Sequence, residues 1–259
     1  MSFSVNSKFL SWNSKEFFNF SFLTSLKKIK LLIDIVRFNY LAKNLKSKEN
    51  IGEWLKTFKF SNLFVESYLL PMTSAIWSST SKEIKNYPAE SMNNFLNNHG
   101  LLNLYDRPQW YSVLGGSSTY VEKLLDLKVF DVKLNSEVKI NRSENKIFIS
   151  NKDESYEFDL LIMANHPNQI LECINDLNEK EKNAIDSIKY QKNITILHGD
   201  ESLMPKDKKK WCSWNVYKDE NYEYVTYWMN NLQKINTNKN IFVTLGDFPK
   251  PNLIFNEMK

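Results

Sequence analysis

The chain predicts a mixed α/β fold of the α+β kind, and three observations predict it. Apolar residues recur at helical spacing through the first hundred positions. The last third alternates apolar and polar residues in short, aromatic-rich runs. Between them a continuous apolar run, DLLIMA (159–164), leads through Asn165 and His166 into Pro167, which reads as a strand, a loop and a helix start.

In chain order, Ser2–Trp12 alternates weakly and is expected as a strand. Between Glu16 and Lys46 the residues Leu26, Ile29, Ile33, Val36 and Tyr40 recur every three or four positions, with Lys27, Lys28, Lys30 and Arg37 elsewhere on the helix. Such a basic amphipathic helix either packs on the rest of the protein or lies on a membrane surface. Gly52–Ser79 is a second helical block, which Pro71 is expected to break or kink. Pro88 suits a first helical turn and Gly100 a stop, so PAESMNNFLNNHG forms another helix. RPQWYSV (107–113) is strand-like and leads into GGSSTYVEKLLDL, a tight turn that opens a helix. From Val129 to Phe158, Val138 and Ile140 alternate in one short strand and Ile147 and Ile149 in the next. DLLIMA then has the composition of a fully buried parallel strand. NITILHGD, WCSWNVY, YEYVTYWMNNL and NIFVTLGDF read as strands of a largely antiparallel sheet, and KDKKK (206–210) as a solvated loop.

Composition narrows the function. The 259 residues are 42% hydrophobic, 25% charged and 14% aromatic, enough for a sizeable core and an apolar pocket. The net charge is +4 and the basic residues are scattered, which excludes a nucleic-acid stripe but permits an anionic ligand or a membrane surface. Cys173 and Cys212 form no CxxC pair, and no metal-ligand spacing exists, so no metal site is expected. The start has no signal-peptide pattern and no run is long enough to span a bilayer, so the protein is expected in the cytoplasm. Glycine is decisive. There are only six, and a dinucleotide-binding loop needs three within six residues, whereas only Gly115 and Gly116 lie close together. No GxSxG elbow exists, and His99, His166 and His198 have no triad spacing.

Three constellations could carry chemistry. Gly115-Gly116 before a helix is either a tight turn or a place where backbone N–H groups hold an anion. The loop Ala164–Pro167 follows a strand, where ligands of α/β sheets bind, and its His166 either touches a cofactor or caps a helix. Trp211, Trp214, Tyr227 and Trp228 either line an apolar pocket or fill a core.

In order, PMTSAIWSS (71–79), YPAESMNNFLNNHGLL (87–102), RPQWYSVLGGSSTYV (107–121), FDLLIMANHPNQIL (158–171), YQKNITILHGDESLMP (190–205), WCSWN (211–215) and VTYWMNNLQ (225–233) resemble the predicted NAD/FAD-binding proteins of the flavin-containing amine oxidase superfamily. Phytoene-desaturase-like and protoporphyrinogen-oxidase-like enzymes belong to the same superfamily. The resemblance runs over nearly the whole chain.

It implies a partial two-domain FAD/NAD(P)-binding flavoprotein fold. Residues 1–106 would be the helical part of the substrate domain, 107–175 the remaining part of the FAD-binding domain, and 176–259 the antiparallel sheet of the substrate domain. Gly115, Gly116 and Ser117 resemble a flavin-contacting turn, Val138 a backbone contact to the adenine edge, and Ala164 the end of a strand passing near the cofactor. Trp211, Trp214 and Trp228 fall in the part that resembles the substrate domain. The implied chemistry is hydride removal from a C–H bond to flavin, with the protein supplying orientation and a dry site, so no particular catalytic side chain is required. Met1–Val5 resembles an internal family segment, and the sequence departs from the family pattern after Leu245, so the chain is expected to be a fragment, inactive alone. FAD would be held only with the glycine-rich segment that is missing here. Family members are often encoded near cyclopropane-fatty-acid-synthase-like methyltransferases, which implies a fatty-acyl or other lipid substrate. The alternative is a non-catalytic remnant that binds acyl chains or the membrane periphery.

Overall fold

Phe3 and Val5 are buried on one side of the first strand, β1 (Phe3–Ser7), while Ser4 is buried on the other, so this strand is covered on both faces. The computed structural model describes residues 3–7, 11–13, 25–106, 108–109, 111–190 and 192–258. Of the strand expected over 2–12, β1 and the start of β2 (Ser11–Asn13) fall within these residues, and they pair antiparallel. The described part of the helix expected over 16–46 is α1 (Leu26–Ala42), and residues 16–24 lie outside the described set.

The helical first third is built from short segments with strong local start signals. In α2 (Ile51–Thr57) the Asn50 side chain accepts from the Glu53 N–H and Glu53 reaches back to the Asn50 N–H, a reciprocal cap. Lys59, at φ 51°, then turns the chain toward α3 (Asn62–Phe64), which Ser61 caps. A π turn, Val65–Leu69, precedes α4 (Leu70–Trp77). Pro71 therefore sits in the first turn of α4 rather than breaking a continuous helix: it has no N–H to give, and the widened turn before it absorbs the irregularity. Thr80 and Glu83 make a second reciprocal cap on α5 (Ser81–Ile84). Pro88 precedes α6 (Ala89–Asn98), and Gly100 ends it at φ +65°, as expected.

Residues 108–109 and 111–113 carry no strand, contrary to the expectation for RPQWYSV; Arg107 and Trp110 lie outside the described residues. Pro108 cannot donate to a ladder, and Tyr111 is 88% exposed, with no strand of the described residues paired to this segment. Gly115 and Gly116 take φ +84° and +87° and open α7 (Ser118–Asp126), the expected turn and helix.

The chain divides into two compact units, 120–191 and the remainder. The smaller holds a meander of β3 (Lys139–Arg142), β4 (Ile147–Ser150) and β5 (Ser155–Phe158), followed by α8 (Pro167–Cys173) and α9 (Glu179–Ser187). Arg142 ties β3 to the last two helices. Its guanidinium donates to Asp176 at 2.7 Å and to both oxygens of Glu181 at 2.7 and 2.9 Å, which pushes the Glu181 carboxyl down to about 2. DLLIMA is the main correction in this unit. It is not a strand, and Leu160 and Ile162 are 76% and 80% exposed, because no other strand of the described residues lies beside it to complete a ladder.

In the larger unit β6 (Thr195–His198), β7 (Trp214–Lys218), β8 (Glu223–Trp228), β9 (Phe242–Asp247) and β10 (Ile254–Met258) join β1 and β2 in a seven-stranded sheet of order β10-β6-β9-β8-β7-β1-β2, with α10 (Met229–Leu232) after β8. All pairings are antiparallel except β1 with β7. The helices cover one face. Val5, Val216 and Val225 point into a core with Leu31, Ile35 and Phe38 of α1 and with Trp54, Phe60 and Phe64. Glu66, in the π turn, joins the layers: its carboxylate meets Lys85 at 2.8 Å and Lys218 of β7 at 3.0 Å. Burial raises its pKa, but the two ammonium partners outweigh burial and hold the carboxyl below its usual range.

The stripe that identifies α1 in the sequence turns out to face outward. Leu26, Ile33, Val36 and Tyr40 are 85%, 61%, 48% and 80% exposed, while the opposite stripe, Leu31, Ile35, Phe38 and Ala42, packs into the core.

Candidate functional site

Strand alternation gives the sheet a second face, opposite the one that the described helices of the first third cover. Ser4, Asn215, Thr226, Thr244 and Ile196 are register partners in turn across β1, β7, β8, β9 and β6. Four of the five are polar, and all are buried. They satisfy one another, as buried polar groups must. The Ser4 hydroxyl donates to Asn215 Oδ1 at 2.7 Å, and Asn215 Nδ2 donates to the carbonyls of Cys212 (2.7 Å) and Thr226 (3.2 Å). The hydroxyls of Thr226 and Thr244 meet at 2.8 Å, and Thr244 meets His198 Nε2 at 2.7 Å. The Asp200 N–H donates to His198 Nδ1, so the proton of a neutral ring sits on Nε2 and points at Thr244. Burial lowers the His198 pKa against the pull of nearby Asp200, which keeps the ring neutral.

A cavity of about 660 Å³ opens beside this row. Its floor includes Ser4, Asn215, Tyr217 and Tyr224, and its wall is the segment Leu203–Lys206 with Lys210. Tyr217 and Tyr224 stack at 5.0 Å, and the Tyr217 hydroxyl donates to Asp219 at 2.7 Å. Burial pushes the Tyr224 phenol up, so it stays a neutral donor. Volume and mixed lining suit a small organic ligand, since such pockets span roughly 300–1,000 Å³.

The wall is pinned from behind. Trp211 donates its indole N–H to the Pro205 carbonyl at 2.7 Å and meets Trp228 and Phe242 edge-on at 5.3 and 5.7 Å. Trp211 and Trp228 are thus brought together but stand behind the cavity rather than in its lining. Trp214 lies on the helix-covered face, with Phe3 at 5.9 Å and Tyr227 at 6.0 Å. Gly115, Gly116 and Ser117 form the turn before α7 in the larger unit. Val138 stands half-buried immediately before β3, and Ala164 is exposed one residue before the loop Asn165–His166, both in the smaller unit. His166 is the N-cap residue of α8 and stacks on Tyr190 at 4.7 Å. Among the described residues no cluster could hold a metal ion, and no helix is long and apolar enough to cross a membrane.

Sequence reasoning missed Asn215, Tyr217, Tyr224 and the lysines of the wall. The available signal was the alternation in WNVYK and EYVTYW, which puts Asn215, Tyr217, Tyr224 and Thr226 opposite the core valines. KDKKK is only partly the solvated loop expected. Lys208 pairs with Glu201 at 2.6 Å, whereas Lys206 and Lys210 line the cavity.

No known family's sequence profile matches the chain, and no curated protein matches it by sequence. Solved structures do share its fold. A fatty acid isomerase from P. acnes that produces CLA superposes with a TM-score of 0.63 at 13% identity, over 97% of this chain and 59% of that one. A putrescine oxidase mutant redesigned for cofactor binding gives 0.63 at 12%, over 95% and 57%. A protein assigned as a protoporphyrinogen oxidase, from Exiguobacterium sp. 255-15, gives 0.57 at 12%, over 95% and 58%. The chain spans under two thirds of the length of each. The chain therefore shares its fold with a part of each of these structures.

Proposed function

We propose that this chain is the substrate-holding part of an FAD-dependent oxidoreductase of the amine oxidase kind, which removes hydride from a C–H bond of an apolar, fatty-acyl substrate. The observation that carries this reading is the cavity of about 660 Å³ on the polar face of a sheet whose fold is shared with two oxidases and a fatty acid isomerase. In this reading 107–175 faces the flavin, while 1–106 and 176–259 hold the substrate, and the protein acts in the cytoplasm in lipid metabolism.

The residues present fit a flavin nucleotide in part. A Cβ at Gly116 would meet nothing within 4 Å, so the turn before α7 is open to close approach by a ligand. Gly115, Gly116, Ser117, Val138 and Ala164 would supply contacts, but the sequence contains no glycine-rich pyrophosphate loop, so the chain alone holds FAD weakly and is inactive. When bound, flavin would accept the hydride. The chain's own residues orient the substrate: the Trp211–Pro205 bond fixes the wall, and the row from Ser4 to His198 fixes the floor. The test is anaerobic incubation of the natural full-length protein with FAD and oleate. The oxidised flavin's visible absorbance should fall with oleate and not without it. A flavin-loaded protein that no acyl substrate reduces would overturn the reading.

One observation favours a second role, at the membrane periphery. The outward stripe Leu26, Ile33, Val36 and Tyr40 on α1 is flanked by Lys30 and is too apolar for a purely solvated face. Replacing Ile33 and Val36 by Asp should abolish co-sedimentation with phosphatidylglycerol-containing vesicles; sedimentation that persists unchanged rules this surface out.

A further inference from the structure

We infer that the cavity is an anion-headed acyl site, in which Lys206 and Lys210 receive the carboxylate of a single-chain lipid whose tail lies along the apolar wall. This deepens the oxidoreductase reading and rests on it for taking the cavity as the substrate site.

The argument is an accounting of polar valence. Four charged side chains line the cavity: Lys206, Lys210, Asp207 and Asp219. The two acids are engaged within their own turns. Asp219 accepts from the Tyr217 hydroxyl at 2.7 Å and from the N–H groups of Asn221 and Tyr222 at 2.8 Å each. Asp207 accepts from the Lys209 N–H at 3.0 Å, capping its short turn. The amide of Asn215 on the floor is also filled, by Ser4, Cys212 and Thr226. The two ammonium groups differ: among the described residues no carboxylate lies within ion-pair distance of Lys206 or Lys210, whereas neighbouring Lys208 has Glu201 at 2.6 Å. Both carboxylates thus accept from donors of their own turns, whereas the two ammonium groups, four residues apart, have no carboxylate partner among the described residues. The rest of the wall is the apolar run Leu203, Met204 and Pro205, joined in the lining by Pro249, and the remaining polar lining is uncharged. A ligand that meets this surface has one anionic end and an apolar body.

The experiment is calorimetric titration of the intact chain, without flavin, with oleate, oleyl alcohol and oleylamine kept below their aggregation limits. Oleate should bind about tenfold or more tighter than the alcohol, since one charge-assisted contact of about 1.4 kcal/mol is a tenfold effect. Replacing Lys206 and Lys210 together by Gln should bring oleate to the level of the alcohol and leave alcohol binding unchanged. Lys208→Gln, on the same turn, should do neither. Equal affinity for acid and alcohol overturns the head-group assignment, as does preference for the amine, which would make Asp207 and Asp219 the recognising groups. An equal loss in Lys208→Gln would reduce the effect to surface charge and also overturn it. Because the binding is read without flavin, a protein that shows the acid preference but never reduces flavin refutes the oxidoreductase reading and not this site.

Discussion

Replacing Trp54 by Ala should cost about 3–5 kcal/mol of stability, the usual range for emptying a fully buried aromatic site. Trp54 is fully buried, and its ring lies 5.5 Å from Phe38, 5.5 Å from Phe58 and 5.7 Å from Phe60. Removing the indole leaves these rings facing a void that the capped ends of α2 and α3 keep from collapsing. Trp54→Phe should behave differently. The Trp54 Nε1 is buried with no hydrogen-bond partner among the described residues, and an unmet donor costs about 1–3 kcal/mol. Phe removes that donor while keeping most of the aromatic contact, so the net loss should stay under about 1.5 kcal/mol, as for swaps that nearly conserve volume. Urea denaturation of both variants checks the pair. A Phe variant as unstable as the Ala variant would mean that the indole N–H is satisfied after all.

The second large effect is expected at Gly246. It lies in β9 at φ +109°, opposite Tyr224 in the β8 register. An added Cβ would stand 2.6 Å from the Glu223 carbonyl oxygen and 3.1 Å from the Tyr224 Cα. Both are backbone atoms in a ladder, so neither can swing aside. Strain at such a φ costs about 1–3 kcal/mol, and overpacking adds about 1–3 kcal/mol. Gly246→Ala should therefore lose several kcal/mol and weaken ligand binding, because Tyr224 forms part of the cavity floor. Gly116→Ala is the natural control. Its φ is also positive, at +87°, but its Cβ would meet nothing, so only the backbone strain applies. If thermal unfolding finds the two variants equally stable, the close approach of β8 and β9 is not what requires glycine at 246.

Features set by neighbouring residues are legible in the sequence itself. Gly115-Gly116 opens a helix, Gly100 ends one, and the four aromatic-rich runs of the last third are all strands, because turn and cap chemistry and strand alternation are local. What cannot be read this way depends on partners far away in the chain. DLLIMA has the composition of a buried strand, but a strand exists only beside another, and composition does not say whether one is there. In α1 two apolar stripes are present, 26/29/33/36/40 and 31/35/38/42, and periodicity cannot choose which one meets the core. The cavity is hidden for a related reason. Asn215 and Tyr217 read as the solvent side of a two-faced strand, and only the fold brings the segment Leu203–Lys210 over them.

The pairing of β1 with β7 also sets an order of events. Phe3 lies beside Trp214 and Ser7 beside Lys218, a separation of 211 residues, in the one parallel contact of the sheet. At roughly 5–20 residues per second, a ribosome needs about 10–40 s between making the first strand and making its partner. Through that interval β1 has its sequence neighbour β2 to pair with, while its other edge waits for β7. The β1–β7 contact can therefore form only once β7 has been made, over a long loop, which makes this step of sheet formation slow.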